Sequence, residues 1–259
     1  MRIALVGYGK MGHIIEKSAR NFGHEVAATV DVAAEDATCI VQQGDYAAVA
    51  DAVRRSGADG VIEFSHPRAA AGNIKALLPL GLPLVVGTTG WGAEEDEIRR
   101  LAEECGGVVM RSANFSVGVN MFYRIVEEAA KLAAQFDEYD AAVFEAHHNQ
   151  KADSPSGTAL DIARRLMANY PSKTRIVTEA FHAKPQPDEL HVASMRLGAV
   201  PGTHTVFFDS GADTIELTHR ARGREGFANG AVHALERLAA GIADGRLMRG
   251  RLYGMDDLF

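Results

Sequence analysis

The hydrophobic and polar positions of this chain follow two successive patterns. Residues 3–6 form a short apolar run closed by Gly7, after which apolar or small residues recur at Met11, Ile14, Ile15, Ser18, Ala19 and Phe22. The run predicts a buried strand, and the spacing predicts an amphipathic helix. Gly23 can end that helix in a left-handed conformation, and 26–30 reads as a second strand ending at Asp31. Further strands are expected at 60–64, 82–86 and 107–110, with helices starting near Pro67 and Ala93. Such alternation predicts a parallel sheet covered by helices on both faces. Only 33–56 shows no clear pattern.

From about Val117 the pattern changes. A long helix is expected to Phe136, then a strand at 141–146 and a helix after Pro155. The segments 175–181, 190–197, 203–208 and 214–219 are β-rich and follow one another without helical spacing, which predicts a mixed or largely antiparallel sheet. A last helix near 229–243 precedes a short tail and is expected to pack back on the first sheet. The chain therefore reads as a nucleotide-type domain over 1–116, a second domain over 117–226, and a returning helix and tail over 227–259.

Composition narrows the class. The 259 residues are 47% hydrophobic, enough for two cores, and 27 basic against 34 acidic residues leave a net charge of -7. That balance offers no general attraction to nucleic acid. No run reaches the length of a membrane span, and the N-terminal apolar run is too short for a signal peptide. Cys39 and Cys105 are far apart and lack metal-site or disulfide spacing, so a reducing cytoplasm is expected.

Gly7-Tyr8-Gly9-Lys10-Met11-Gly12 satisfies G-x-G-x-x-G directly between the first strand and the first helix. There Gly7 permits the tight turn, Gly9 lets backbone approach a pyrophosphate, and Gly12 lets helix and strand pack closely, while the helix N-terminus supplies free N–H groups. Asp31, at the end of the second strand, is placed to accept hydrogen bonds from a ribose. Nothing basic follows it, so NADH is expected to be accepted. Lys10 could still reach a 2′-phosphate, which keeps NADPH open. Gly87-Thr88-Thr89-Gly90 and Ser112-Ala113-Asn114-Phe115-Ser116 close two further strands, where a cofactor would be touched.

The densest chemistry lies in Glu145-Ala146-His147-His148-Asn149-Gln150-Lys151-Ala152-Asp153-Ser154-Pro155-Ser156-Gly157-Thr158-Ala159. Ser156 is a good N-cap, and the N–H groups after it face any anion at the helix start. Lys151 adds a charge, and His147 and His148 add groups able to exchange protons near neutral pH. Adjacent histidines on an extended chain diverge and His-Glu-x-x-His is absent, so no metal is expected.

Taken in order, these segments, with Asn114-Phe115-Ser116-Val117-Gly118-Val119-Asn120 and Phe227-Ala228-Asn229-Gly230-Ala231, resemble the 4-hydroxy-tetrahydrodipicolinate reductase family over nearly the whole chain. The resemblance implies an α/β fold: a Rossmann-type doubly wound parallel sheet plus an α+β substrate domain whose open mixed sheet builds a homotetramer. It implies NAD(P)H-dependent reduction of a cyclic dicarboxylate in lysine and diaminopimelate biosynthesis. By the same resemblance, His147 is the proton donor and Lys151 the catalytic lysine, while His148, Lys151, Ser156, Gly157 and Thr158 hold the substrate carboxylates. Gly7, Gly9, Lys10, Met11, Gly12, Asp31, Phe64, Gly87, Thr88, Thr89, Ala113, Asn114 and Phe115 fall at cofactor positions. The family often has a longer glycine turn with arginine in place of Lys10 and a basic residue after Asp31; both departures weaken a preference for NADPH. Two other readings are an open-chain amino-acid or semialdehyde dehydrogenase and a non-catalytic dinucleotide sensor.

Overall fold

The computed structural model describes residues 1–258; Phe259, the last residue of the expected C-terminal region, lies outside them. The chain divides into two compact units, one of Met1–Val117 with the residues from Arg224 onward, the other of Gly118–Gly223.

The first unit is built on a seven-stranded sheet. Its strands are β1 (Arg2–Val6), β2 (Glu25–Asp31), β3 (Cys39–Ile40), β4 (Gly60–Glu63), β5 (Pro83–Val86), β6 (Val108–Arg111) and, from near the chain end, β12 (Arg251–Tyr253). Their order is β12-β6-β5-β4-β1-β2-β3, and every neighbouring pair is parallel. A parallel sheet covered on both faces needs apolar side chains on both, and β1 supplies them alternately. Ala4 and Val6 join one core with Val53 of α2 (Tyr46–Ser56), Ile74 of α3 (Pro67–Leu77) and Ile98 of α4 (Glu95–Cys105). Ile3 and Leu5 join the other with Ile15 of α1 (Lys10–Asn21) and Leu235 and Leu238 of α7 (Glu225–Ala243). Each such fully buried aliphatic side chain contributes about 1.5–3 kcal/mol.

The second unit carries β7 (Asp140–His147), β8 (Arg175–Val177), β9 (Glu189–Arg196), β10 (Thr203–Asp209) and β11 (Thr214–Arg220), in the order β11-β10-β7-β9-β8. Both ladders of β10 are antiparallel, and both ladders of β9 are parallel, so the sheet is mixed. Helices α5 (Val117–Ala133) and α6 (Gly157–Ala168) cover one face, burying Val126, Ile162 and Leu166 against Val143, Val192 and Val206.

The structure corrects several sequence-based expectations. The unclear segment 33–56 holds β3 and α2; Asp45 caps that helix through Ala48 N, and Gly57 ends it in the left-handed region. The strand expected over 175–181 stops at Val177, where the parallel ladder of β8 with β9 ends at the pair Val177 and His191. Helix α5 ends at Ala133 instead of reaching Phe136, which is exposed. The expected tail contains β12, which extends the parallel sheet beside β6. No helix among the described residues is long and apolar enough to cross a membrane.

Candidate active site

In the first unit the carboxyl ends of β2, β1, β4 and β5 are tied together by backbone bonds from Gly7 N to Val30 O (2.8 Å), Phe64 N to Val6 O (2.8 Å) and Gly87 N to Glu63 O (2.9 Å). Gly7 has φ +91°, and a Cβ on Gly12 would lie 2.5 Å from the Gly7 carbonyl oxygen. No larger residue at position 12 could keep that packing. Gly9, by contrast, faces open space, and no side chain caps the start of α1. The free N–H groups of the first turn, beside a glycine with nothing over it, fit a pyrophosphate.

Two hollows open here. One, of about 330 Å³, gathers Gly9, Lys10, Met11, Phe64, Gly87, Thr88 and Thr89. The other, of about 610 Å³, is lined by Gly7, Gly9, Asp31 and Phe64 together with Val41, Gln42, Tyr46, His66 and Arg68. Burial would raise the Asp31 carboxyl, but N–H groups of Tyr8 (2.6 Å), Ala33 (2.8 Å) and Ala34 (3.0 Å) more than offset this and hold it below the usual carboxylate range. Thr88 has a structural duty as well: its hydroxyl accepts from Ser65 N (2.8 Å) and its carbonyl from Trp91 Nε1 (2.7 Å). Ala113, Asn114 and Phe115 line neither hollow. Asn114 Oδ1 accepts from Ser116 N at 2.9 Å, and the Phe115 ring is buried in the core, 6.1 Å from the ring of Phe64.

In the second unit His147 ends β7, and its Nδ1 is hydrogen-bonded to the Glu145 carboxylate. Glu145 is fully buried. Its other oxygen takes Arg196 Nη1 at 2.8 Å and the backbone N–H of Ser156 at 3.3 Å. Arg196 in turn donates to the carbonyls of Met195 (2.7 Å) and Asp153 (2.5 Å), tying β9 to the loop before α6. The carboxyl of Glu145 is raised by burial but brought below its ordinary range by His147 and Arg196. His147 is pulled the other way. Burial depresses it, Glu145 opposes that, and Lys151 and Arg196 add to the depression, so its net shift is downward.

Ser156 caps α6, accepting from Ala159 N at 3.2 Å, and its hydroxyl lies 3.3 Å from His204 Nε2. His204 is buried, and burial above all pushes its pKa down to about 4. Gly157, at the first position of that helix, is exposed, and Thr158 is half-buried. Lys151 pairs with Asp153 at 2.8 Å, and the buried Nδ1 of His148 has no hydrogen-bond partner among the described residues. The two histidines thus separate as adjacent residues on a strand must. Glu145, His147 and His204 approach within 4.8 Å of one another, as metal ligands do. However, a guanidinium already occupies one Glu145 oxygen and Nδ1 of His147 the other, so the cluster is built as an ion-paired relay rather than a cation cradle.

Sequence reasoning left Glu145, Arg196 and His204 without roles. Glu145 was readable, since residues two apart on a strand share a face. The other two depend on register: Arg196 lies across from His147, and His204 across from Glu145.

Residues 1–115 match the family described as "Dihydrodipicolinate reductase, N-terminus", and residues 118–259 that described as "Dihydrodipicolinate reductase, C-terminus". The chain is 36% identical over 239 residues to a 4-hydroxy-tetrahydrodipicolinate reductase of Christiangramia forsetii, covering 92% of each sequence. It is 38% identical over 265 residues to the enzyme of that name from Archaeoglobus fulgidus, covering 99% of each. A dipicolinate-bound dihydrodipicolinate reductase from Paenisporosarcina sp. TG-14 shares the fold, with a TM-score of 0.77 at 20% identity over 100% of this chain and 99% of that one.

Proposed function

The chain belongs to the dihydrodipicolinate reductase family and reduces 4-hydroxy-tetrahydrodipicolinate in lysine and diaminopimelate biosynthesis; we propose that His147 supplies the proton of that reaction and Lys151 the stabilising charge. The observation that carries this assignment is the buried His147 held at Nδ1 by Glu145, which also accepts from the N–H of the cap residue Ser156, with the Lys151 charge acting on the same imidazole. It also favours an enzyme over a dinucleotide sensor, which has no use for a poised proton donor.

Loss of the 4-hydroxyl as water gives the conjugated cyclic imine, and a nicotinamide nucleotide, when bound, would supply a hydride to its C4. The N–H groups opening α1 and the uncovered Gly9 would hold its pyrophosphate, and Asp31 would accept from the adenosine ribose. On the other unit, the start of α6 at Ser156-Gly157-Thr158 receives one substrate carboxylate, and His148 with Lys151 receives the second. Two anchors fix the ring's orientation. As electron density moves onto the ring nitrogen, the Lys151 ammonium stabilises it. His147 then donates a proton to the adjacent enamine carbon.

NADH is the favoured donor in this reading, with NADPH accepted. Asp31 stays ionised and repels a 2′-phosphate, while Arg68 and Lys10 line the adjoining hollows and give such a phosphate a partner. The homotetramer rests on the sheet face opposite α5 and α6, where Phe144, Ala193, Met195 and Phe207 stand partly exposed. Light scattering of the purified protein gives its mass directly.

The test is the oxidation of NADH and NADPH in the presence of freshly prepared cyclic substrate. Substrate-dependent oxidation is expected with both, with kcat/KM for NADH at least equal to that for NADPH. Turnover of open-chain amino acids or semialdehydes in its place, or of nothing, would overturn the assignment.

A further inference from the structure

Glu145 has no place in the chemistry above, yet the structure isolates it from solvent and commits both its oxygens. A carboxylate sealed in this way is costly to bury unless both oxygens are paired, and here one partner is the imidazole that the reaction needs. We infer that Glu145 is a positioning residue: clamped by Arg196, it holds Nδ1 of His147 so that Nε2 is the nitrogen from which the proton leaves. The inference rests on His147 being the donor.

Several features fix the direction of the imidazole. Nδ1 faces the carboxylate, so Nδ1 keeps its hydrogen in both protonation states. Nε2 points along Gly202, where an added Cβ would stand only 3.0 Å from it; Gly202 also has φ +147°, a conformation that side chains rarely adopt. Only glycine at this position lets the backbone pass so close to Nε2. Arg196, in its turn, is fixed by two backbone carbonyls, so the carboxylate cannot swing away without breaking the loop contact at Asp153.

In the donating state the imidazolium carries hydrogen on both nitrogens. The Nε2–H bond breaks, the enamine's electron pair forms the new C–H bond, and neutral imidazole remains with Nδ1–H still on Glu145. A carboxylate in this position stabilises the charged form before transfer and prevents the ring from turning over after it.

The groups facing the pair come from every element around it. They are Arg196 and Ser194 of β9, His204 of β10, the Ser156 N–H at the start of α6, and Lys151 of the loop. Among these, Arg196 and Lys151 oppose protonation of His147, as burial does, and Glu145 alone favours it strongly. Without its charge His147 loses its proton at lower pH. Activity that requires the protonated form then falls away at lower pH as well.

The experiment is the pH profile of kcat and of substrate KM for wild type, Glu145→Gln and Glu145→Asp, with NMR of the imidazole nitrogens of wild-type His147. For Glu145→Gln, kcat near neutrality is expected to fall about tenfold or more, with the limb displaced about one pH unit downward and KM changed less than about threefold. Glu145→Asp, which keeps the charge, should restore most of the limb's position. In the wild type, neutral His147 should carry its hydrogen on Nδ1. A Gln variant with the wild-type profile, or a wild-type neutral imidazole with hydrogen on Nε2, overturns the inference, the second result independently of whether any variant folds. Absence of substrate-dependent oxidation by wild type would instead overturn the functional reading, and the NMR would still judge the pair.

Discussion

The two units present positive potential to anions by different means. On the first, it comes from backbone: the N–H groups of an uncapped helix start and a glycine with nothing above it. On the second, backbone N–H groups at α6 are joined by buried, mutually paired side chains, with Glu145, His147, Arg196 and His204 within one cluster. Backbone donors cannot titrate, so the first arrangement is indifferent to pH and exacting about shape. The side-chain cluster tolerates little change of charge because each member sets the state of the next.

The largest effect that would sharpen this contrast is on turnover. His147→Gln and Lys151→Ala should each reduce kcat by roughly two or more orders of magnitude while the Kd for NADH stays near the wild-type value. Near-normal turnover in either variant removes that residue from the mechanism, and a parallel loss of cofactor binding would show the two units to be less separable than their chemistry suggests.

A shape change on the first unit should do the reverse. Gly12→Ala places a methyl 2.5 Å from the Gly7 carbonyl, so we expect the KM for cofactor to rise and the unfolding midpoint to fall, at a cost of about 1–3 kcal/mol. Turnover at saturating cofactor should change far less, and a selective loss of kcat would break the comparison.

The smallest effect is in pH-dependent stability. His204 is held to about 4 by burial, below its ordinary 6.5, so the unfolded chain binds this proton more readily than the folded one. Its contribution is complete above pH 6.5 and is lost as pH falls from there toward 4. Between pH 7 and 5.5 the loss should be about 1 kcal/mol, read as a lower unfolding midpoint in denaturant. His204→Asn should flatten that dependence; an unchanged slope would place the acid sensitivity elsewhere.

How much of this was legible in the sequence depended on how local the cause was. The glycine turn, the cap at Ser156 and the longer strands and helices are set by residues close in the chain and can be read there. Helix α2 was hidden because its apolar positions are mostly alanine, and β12 because three residues carry no periodicity. The three bonds that commit Asp31 and the clamp of Arg196 on Glu145 involve residues 2 to 51 positions apart (for the longest, 196 minus 145), and only chain register brings the distant ones together. The sequence placed proton-exchanging histidines and a lysine before a helix start, whereas burial and register paired Glu145 with His147 and Arg196.

The return of α7 to the first sheet also constrains the order in which the protein can mature during synthesis. Leu235 and Leu238 close a core begun by Ile3, Leu5 and Ile15, so one face of that sheet is covered only in part, by α1, until α7 has left the ribosome. The segment Gly118–Gly223, continuous in sequence, can complete its own core earlier. The half that grips the nucleotide is therefore the last to become competent, and a chain truncated before α7 should display an apolar sheet face of the kind chaperones recognise.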